Sequence, residues 1–226
     1  MSSTAAPLTA SRPLRKDAAR NRALLIAAAR EVFAKRGLEA SLDEVARHAG
    51  VGVGTAYRHF ANKYELVSAL MSNAVDDMVA DAERALAAED PWLGLVGFLE
   101  AALADQSEDR GLREALMGVH DTEKLEQVHD RLVGPITEIL RRAQRAGVVR
   151  ADAEPTDIGF IITMACAVAD VASDCAPQLW RRYLAMCLEG LKPGGAALPA
   201  AALTEREFRD AMATHKQALA RGTSIS

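Results

Sequence analysis

The sequence contains no hydrophobic run long enough to cross a lipid bilayer, which requires about 20 apolar residues. Its N-terminal segment also lacks the apolar core of a signal peptide, so we expect a cytoplasmic protein. Cysteine is scarce: Cys166, Cys175 and Cys187 are odd in number and have no CxxC spacing. We expect them to pack as small hydrophobic side chains, with a thiol sensor as the alternative.

Catalytic patterns are absent from the sequence as well. No arrangement of serine, histidine and acid predicts nucleophilic catalysis, and there is no glycine-rich phosphate loop, so we expect neither an enzyme nor a cofactor. One cluster is dense in potential metal ligands, but we expect a solvated polar face there, with a metal site as the alternative. This cluster consists of His120, Asp121, Glu126, His129 and Asp130. No clear run of alternating residues predicts a strand, which favours an all-α fold.

The net charge of the chain is −4, which by itself disfavours binding to nucleic acid. The charge is unevenly distributed, however: residues 1–63 carry a net charge of +6 and the remainder carries −10. A basic head on an acidic body suits a molecule that meets DNA with one end only. We expect the densest basic cluster to form an arm on the DNA backbone, with a solvated tail as the alternative. The cluster consists of Arg12, Arg15, Lys16, Arg20 and Arg22, and residues 1–16 are expected to be disordered.

The segment 41–63 has the pattern of two short helices joined by a glycine turn, followed by the start of a third helix. Ser41 and Glu44 have the spacing of a capping box, and Gly50 suits the left-handed backbone that ends the first helix. Asn62 is suited to cap the third helix. This layout predicts a helix-turn-helix, which places its second helix in the major groove of DNA.

The second helix of this motif is predicted to end near Phe60, to bury Ala56 and Phe60, and to turn its other face to DNA. Gly54 and Thr55 allow the backbone to approach the base edges, and Arg58 is suited to pair with guanine through two hydrogen bonds. The side chains that suit phosphate oxygens are Tyr57, His59 and Lys63. An ordinary helical hairpin with a solvated face is the alternative interpretation.

The segment AREVFAKRGLEASLDEVARHAGVGVGTAYRHFANKYEL resembles the N-terminal domain of the tetracycline-repressor (TetR) family of bacterial regulators. Its most specific part is the pattern formed by Gly54, Thr55, Tyr57 and Phe60. The resemblance implies that Ser41 contacts phosphate. It further implies DNA-contact positions at Thr55, Tyr57, Arg58, His59 and Lys63. Some members of the family carry a base-reading arginine where Asp43 stands, so we expect that contact to be absent here.

The remainder of the chain is predicted to be helical. A long helix over residues 62–88 leads from the head into the body, and Pro91 starts the next helix. Further helices are predicted over residues 111–119, 123–146 with a break or bend at Gly134-Pro135, 156–173 and 177–191. We divide the chain into a disordered arm (1–16), a helix-turn-helix domain (17–62), a body (63–191) and a linker with an extra C-terminal helix (192–226). Thr204 and Glu207 form the capping box of that helix.

The last two body helices are apolar around too much of their circumference for the surface of a monomer, so we expect them to pair across a two-fold axis. Simple burial in the core is the alternative. The resemblance implies a dimer of this kind and an inducer pocket in the body. Gly94 and Gly97 lie inside the helix that Pro91 starts, and we expect a gap beside Trp92 and Phe98 that admits a ligand or a closely packed helix. Candidate pocket residues, with core packing as the alternative for each, are Trp92, Phe98, Met117, His120, Phe160 and Met164.

Together these features predict an all-α, homodimeric transcription factor. We expect a repressor that binds a palindromic double-stranded DNA operator and is released by a small-molecule inducer of unknown identity. A ligand-independent accessory or DNA-organising protein with the same head is the alternative. An enzyme built on a helical bundle is a third interpretation, but no catalytic constellation supports it.

Overall fold

The computed structural model describes the backbone of residues 12–108 and 122–222 and the side chains of residues 16–104 and 130–214. All regular structure in these ranges is helical, which confirms the predicted all-α fold. The helices are α1 (Arg12–Arg36), α2 (Leu42–His48), α3 (Val53–His59), α4 (Lys63–Ala87), α5 (Pro91–Glu108), α6 (Thr122–Arg145), α7 (Pro155–Val171), α8 (Trp180–Leu191) and α9 (Glu205–Gly222). A short 3-10 helix, Gly37–Glu39, follows α1. Within the described residues, no helix is long and apolar enough to span a membrane. The helix predicted over 111–119 lies outside them.

The first three helices and the N-terminal half of α4 enclose one hydrophobic core, which we call the head core. Phe33 and Val45 are fully buried in it, and Ala56 and Phe60 join it from α3, as the sequence predicts. The head core extends along α4 as far as Ala74.

A second core, the body core, begins at Ala82 of the same helix. It lies among α4, α5, α6, α7 and α8, and it is filled by large side chains. The largest of these include Phe98, Leu99, Leu140, Ile158 and Trp180. Because α4 contributes to both cores, the head and the body share one continuous helix of 25 residues.

The contact between α5 and α4 depends on a glycine. A Cβ atom at Gly94 would lie 2.5 Å from the carbonyl oxygen of Ala85, which is backbone of α4. Of the two occupants predicted for a gap in this helix, a ligand or a close helix, a closely packed helix therefore lies against Gly94. Gly97, one turn further along α5, is exposed, and a Cβ atom there would have no neighbour within 4 Å.

These two glycines form a matched pair for a stability measurement. We expect Gly94→Ala to lower the free energy of unfolding by about 1–3 kcal/mol, because α5 must move away from α4. Gly97→Ala should instead stabilise by up to about 1 kcal/mol, since alanine is the better helix former and the site is open. Urea denaturation of both variants checks this pair. Effects of the same sign would contradict the close approach at Gly94.

The N-terminal arm is shorter than the sequence analysis predicted. Helix α1 begins at Arg12, so the last five residues of the predicted disordered segment 1–16 are helical. Pro13 suits this place, because the first turn of a helix does not use the N–H group that proline lacks. The rest of the predicted arm, residues 1–11, lies outside the described residues.

Two predictions for the body helices differ from the structure. Of the break or bend predicted at Gly134-Pro135, the break does not occur, since α6 continues through Pro135. Proline disfavours a helical backbone partly through a clash with the Cβ atom of the preceding residue, and Gly134 has no Cβ atom. Helix α8 begins at Trp180 rather than Pro177, because tight turns precede it. One of them is closed by a 2.9 Å hydrogen bond from the N–H of Leu179 to the carbonyl of Ala176.

Candidate nucleic-acid interface

Helix α3 is short, and the one residue that it buries in the head core is small. It begins after Gly52, whose carbonyl accepts hydrogen bonds from the N–H groups of Thr55 (2.8 Å) and Ala56 (3.0 Å). It ends where the backbone of Phe60 becomes extended. Ala56 is fully buried, whereas Tyr57 is 50% exposed. The face of α3 opposite the head core is therefore open to a partner.

The turn between α2 and α3 sets the direction of α3, which we call the recognition helix. Gly50 has a φ of 66°, in the left-handed region that the sequence predicts. The N–H of Val51 donates to the carbonyl of Ala46 at 3.0 Å, and the Val51 side chain is buried at the corner. At the other end of α2, the Ser41 hydroxyl accepts from the N–H of Glu44 at 3.3 Å and completes the capping box. Ser41 is exposed, and its hydroxyl donates to the Glu44 carboxylate at 3.2 Å, so a phosphate contact by this hydroxyl requires it to exchange partners.

Arg58 is the best-placed side chain for reading a base. It lies on the exposed face of α3, and within the described residues it has no hydrogen-bond or ion-pair partner. Its guanidinium can therefore offer its donors to an external acceptor. Thr55 and His59 flank this face and are half-buried.

Gly54 lies on the same exposed face, and the free protein gives no reason for a glycine there. A Cβ atom at this position would meet nothing within 4 Å, and the residue has a helical backbone. The space above Gly54 is thus open in the free chain, as it must be if DNA approaches the backbone closely.

This geometry predicts that a side chain at position 54 weakens DNA binding but does not change the stability of the fold. Gly54→Val should leave the free energy of unfolding within about 0.5 kcal/mol of the original, as most exposed surface substitutions do. The same variant should bind DNA more weakly, because its side chain fills the space between α3 and the base edges. Thermal unfolding and fluorescence anisotropy with duplex DNA test the two parts. Unchanged DNA affinity in the folded variant would contradict a close approach at this glycine.

Tyr57 has a partner that the sequence analysis missed. Hydrogen bonding to the Asp43 carboxylate, together with its negative charge, raises the pKa of Tyr57 above its ordinary value. The phenol thus donates a hydrogen bond to the Asp43 carboxylate and links the recognition helix to α2. Phosphate oxygens only accept hydrogen bonds, so a phosphate contact by the Tyr57 hydroxyl requires it to exchange partners. In the sequence, the acidic residue at position 43 was the signal from which this contact could have been predicted.

Two basic residues of the head also have internal partners. The ammonium group of Lys63 donates to the carbonyl of Leu38 at 2.5 Å and so fixes the start of α4 to the turn after α1. The guanidinium of Arg22 lies 5.3 Å from the centre of the Phe60 ring. Lys16 is exposed, and the side chain of Arg15 lies outside the described residues. Lys63 retains further donors for the phosphate contact that the resemblance implies.

The residues predicted to line a ligand pocket are not brought together in the described part of the body. Phe98 is 1% exposed in the body core, and Met164 is 51% exposed on the surface. Trp92 is half-buried beneath the ammonium group of Lys192, and the Phe160 ring packs on Phe208 of α9. These positions follow from long-range packing, which places each side chain on a different surface. Met117 and His120 lie outside the described residues.

Of two clefts in the described part of the chain, neither is lined by any of the predicted pocket residues. One, of about 460 Å³, lies beside the start of α4 and is lined by Arg22, Asn62, Tyr64, Glu65, Ser68, Ala69 and Ser72. The other, of about 390 Å³, is lined by Arg30, Asp77, Ala80, Asp81, Arg84, Ala101 and Ala104. No group of three metal-binding side chains occurs in the part of the chain for which side chains are described. Of the predicted metal-capable cluster, Asp130 alone falls in that part.

Helix α3 is short and exposed, and a glycine turn joins it to the capped helix α2. This arrangement defines the N-terminal part of the chain as a helix-turn-helix DNA-binding domain. The family model for "Bacterial regulatory proteins, tetR family" matches residues 25–70, and that for "Transcriptional regulator SbtR-like, C-terminal domain" matches residues 90–193. A TetR transcription regulatory protein from Mycobacterium vanbaalenii is 35% identical, with a TM-score of 0.62 over 80% of this chain and 99% of that one. The chain belongs to the TetR family of transcriptional regulators, a family of DNA-binding proteins.

Other relatives agree with this assignment. The regulator SCO0520 of Streptomyces coelicolor is 27% identical, with a TM-score of 0.63 over 77% of this chain and 99% of that one. The HTH-type transcriptional regulator SrpR of Pseudomonas putida is 32% identical over 140 residues, which are 58% of this chain and 64% of SrpR. The activator FasR of Mycolicibacterium smegmatis is 42% identical over 66 residues, 29% of this chain and 30% of FasR. These matches thus span less than two thirds of either curated relative.

Proposed function

We propose that the protein is a homodimeric repressor, located in the cytoplasm with its DNA, that releases a palindromic operator when a small molecule binds its body. The observation that carries this proposal is the single helix α4, which belongs to both cores. Its head end is capped by Asn62, whose side-chain oxygen accepts from the N–H of Glu65 at 3.0 Å. A displacement of the body end of such a helix moves the recognition helix as well.

The body end of α4 is held by Arg142 of α6. Its guanidinium donates to the carbonyls of Ala85 (3.3 Å), Ala88 (2.5 Å) and Glu89 (3.3 Å). Ala85 lies in the last turn of α4, and Ala88 and Glu89 follow that turn, so Arg142 binds the backbone where the helix ends. A shift of α6 on ligand binding would therefore pull on the end of α4 directly. By linkage, ligand and DNA must then weaken each other's binding by the same factor.

Exposed apolar side chains on α7 and α8 support a dimer. Met164 and Val171 of α7 are 51% and 89% exposed, and Tyr183 and Met186 of α8 are 44% and 61% exposed. Apolar surfaces of this kind mark interaction sites, and a two-fold axis brings the same surface of two copies together. Homodimers and repression are also typical of the family.

Two relatives bear on ligand control and on the sign of regulation. SmeT shares the fold at 22% identity and is described as the repressor of a multidrug efflux pump of Stenotrophomonas maltophilia. A complex of SmeT with triclosan shares the fold as well, at 20% identity. FasR, by contrast, is named an activator. Repression by this chain therefore needs its own test.

Selection of bound duplexes from a random DNA pool tests the operator. We expect an inverted repeat whose half-sites lie one helical turn, roughly 34–36 Å, or a multiple of it apart, because two heads related by a two-fold axis read the same sequence. Recovery of a single, asymmetric half-site as the best binder would contradict the dimer. A reporter gene placed behind the selected sequence then gives the sign of regulation.

Ligand-independent binding remains the second candidate, and it has a specific observation in its favour. The described pocket candidates are buried in the core or dispersed over the surface, as a body without ligand control would have them. A panel of small molecules distinguishes the two functions. A ligand that raises the melting temperature and releases the selected operator supports the repressor. A ligand that raises the melting temperature without changing DNA affinity supports the second candidate.

A further inference from the structure

Helix α9 is docked on α7 through a glycine notch. The tip of the Phe208 ring fills the space above Gly159: a Cβ atom at Gly159 would lie 2.5 Å from its Cζ atom. The same ring packs edge-on against Phe160, with 5.1 Å between the ring centres. One turn further along, the Thr163 hydroxyl lies 3.8 Å from the sulfur of Met212. The fit between α9 and α7 is therefore specific.

The linker before α9 is fixed to the body as well. The guanidinium of Arg150 donates to the carbonyl of Ala196 at 2.6 Å and forms an ion pair with Asp152. This pair holds the pKa of Asp152 at about 2, well below its ordinary value. The hydroxyl of Thr156, which is buried, donates to the carbonyl of Leu203 at 3.0 Å. The path of residues 192–204 thus directs α9 to one place on α7.

Docking on α7 leaves the apolar side of α9 incompletely buried. Phe208, Ala211 and Met212 are only half-buried although they form the contact with α7. On α7, the apolar row that starts at Phe160 continues through residues 164, 167 and 171, spaced by four, three and four, and so lies on one face. From Met164 onward this row is exposed. The half-buried side of α9 is therefore continuous with the exposed face of α7.

The exposed faces of α7 and α8 are also small for a dimer. These helices have 17 and 12 residues, and strips roughly 10 Å wide along them cover about 430 Å². A stable interface buries about 800 Å² on each partner. A third helix beside α7 would supply much of the difference. Helix α9 also lies beyond residue 193, where the match to the family's C-terminal domain ends.

We propose that α9 is the third helix of the dimer interface, and that a second copy of this chain covers Phe208 and Met212 together with Met164. This proposal rests on the proposed function, because it takes α7 and α8 as the face that pairs. It adds that residues beyond the family's body domain contact the partner.

Photo-crosslinking of the full-length chain tests the contact. The photoreactive residue p-benzoylphenylalanine is introduced at one position at a time: Met212 of α9, Met186 of α8 as the reference for the dimer face, and Arg206 as the control. Arg206 lies on the side of α9 away from α7, and its side chain is 87% exposed. We expect covalent dimers from positions 212 and 186 with the same dependence on protein concentration, and none from position 206.

A chain that ends at Leu203 gives a second measurement. We expect its dimer dissociation constant, measured by sedimentation, to rise about ten-fold or more, since truncating a single hot-spot side chain of an interface already changes affinity by about that factor. Unfolding curves of this chain establish that its body is folded.

The outcomes separate the two proposals. Crosslinks from position 186 without any from position 212 would leave the dimer standing and overturn the role of α9. An unchanged dissociation constant in the folded, shortened chain would overturn it too. A full-length chain that sediments as a monomer on its operator and crosslinks from neither position would overturn the proposed dimer itself, and the role of α9 with it.

Discussion

Replacing Arg58 with alanine is expected to weaken binding to the selected operator by about 30-fold to 10⁴-fold. A bidentate contact to a base contributes about 1–3 kcal/mol of discrimination, and a dimer loses this contact in both half-sites. The loss is then about 2–6 kcal/mol, and each 1.4 kcal/mol changes the affinity ten-fold. Binding to a scrambled duplex of the same length should change much less, because that duplex lacks the base that Arg58 reads.

The controls for Arg58 separate base reading from simple charge. Arg58→Lys retains the charge but not the planar fork of donors, so it should recover binding to scrambled DNA and little of the preference for the operator. Arg206→Ala removes a positive charge from α9 and should leave both affinities unchanged. Repeating the selection with Arg58→Ala should relax the preference at one base pair of each half-site. An equal loss on operator and scrambled DNA would place Arg58 on a phosphate instead.

The head could be predicted from the sequence because its structure is specified locally. The capping boxes and the left-handed glycine are set by residues within a few positions of each other, and so is the pair formed by Ala56 and Phe60. Ser41 with Glu44, Gly50 and Asn62 accordingly occupy their predicted roles. The outward residues of α3 then follow from the burial of the opposite face.

The partners of these residues were harder to predict, because they are distant in sequence. Arg142 donates to carbonyls more than 50 positions away, and nothing near it in the sequence marks it as the residue that holds α4. Phe208 fills a notch at Gly159 that exists only after α7 and α9 are brought together. The same lack of long-range information allowed Phe160 and Met164 to be predicted in one pocket with Phe98.

The two glycines of α5 illustrate the same limit. The sequence left two interpretations open for each, a gap for a ligand or a close helix. At Gly94, the nearby carbonyl of Ala85 shows that a close helix is present. At Gly97, a Cβ atom would have no neighbour within 4 Å, so no helix packs closely there. Sequence pattern thus predicted the body helices that the structure describes and most of their bounds. It did not give the faces on which they meet.

A charge placed on the exposed face of α7 is the second substitution with a large expected effect. Val171 is 89% exposed in the single chain, so Val171→Glu should leave the free energy of unfolding of the monomer nearly unchanged. Across a two-fold axis the same residue comes from both copies, so the substitution places two like charges in one apolar interface. The dimer should then dissociate at micromolar concentrations.

Loss of the dimer removes the advantage of binding with two linked heads, which is worth about 10²–10⁴ in affinity. We therefore expect Val171→Glu to lower operator affinity by about that factor while a DNA duplex with a single half-site is bound as before. Sedimentation and anisotropy on the two duplexes measure these effects. Gln178→Glu, which adds the same charge at an exposed polar position just before α8, is the matched control and should retain both the dimer and the operator affinity. Val171→Glu would bind the full operator as tightly as the unmodified chain does only if α7 is not part of the dimer interface. That result would require a different dimer for the proposed repression mechanism.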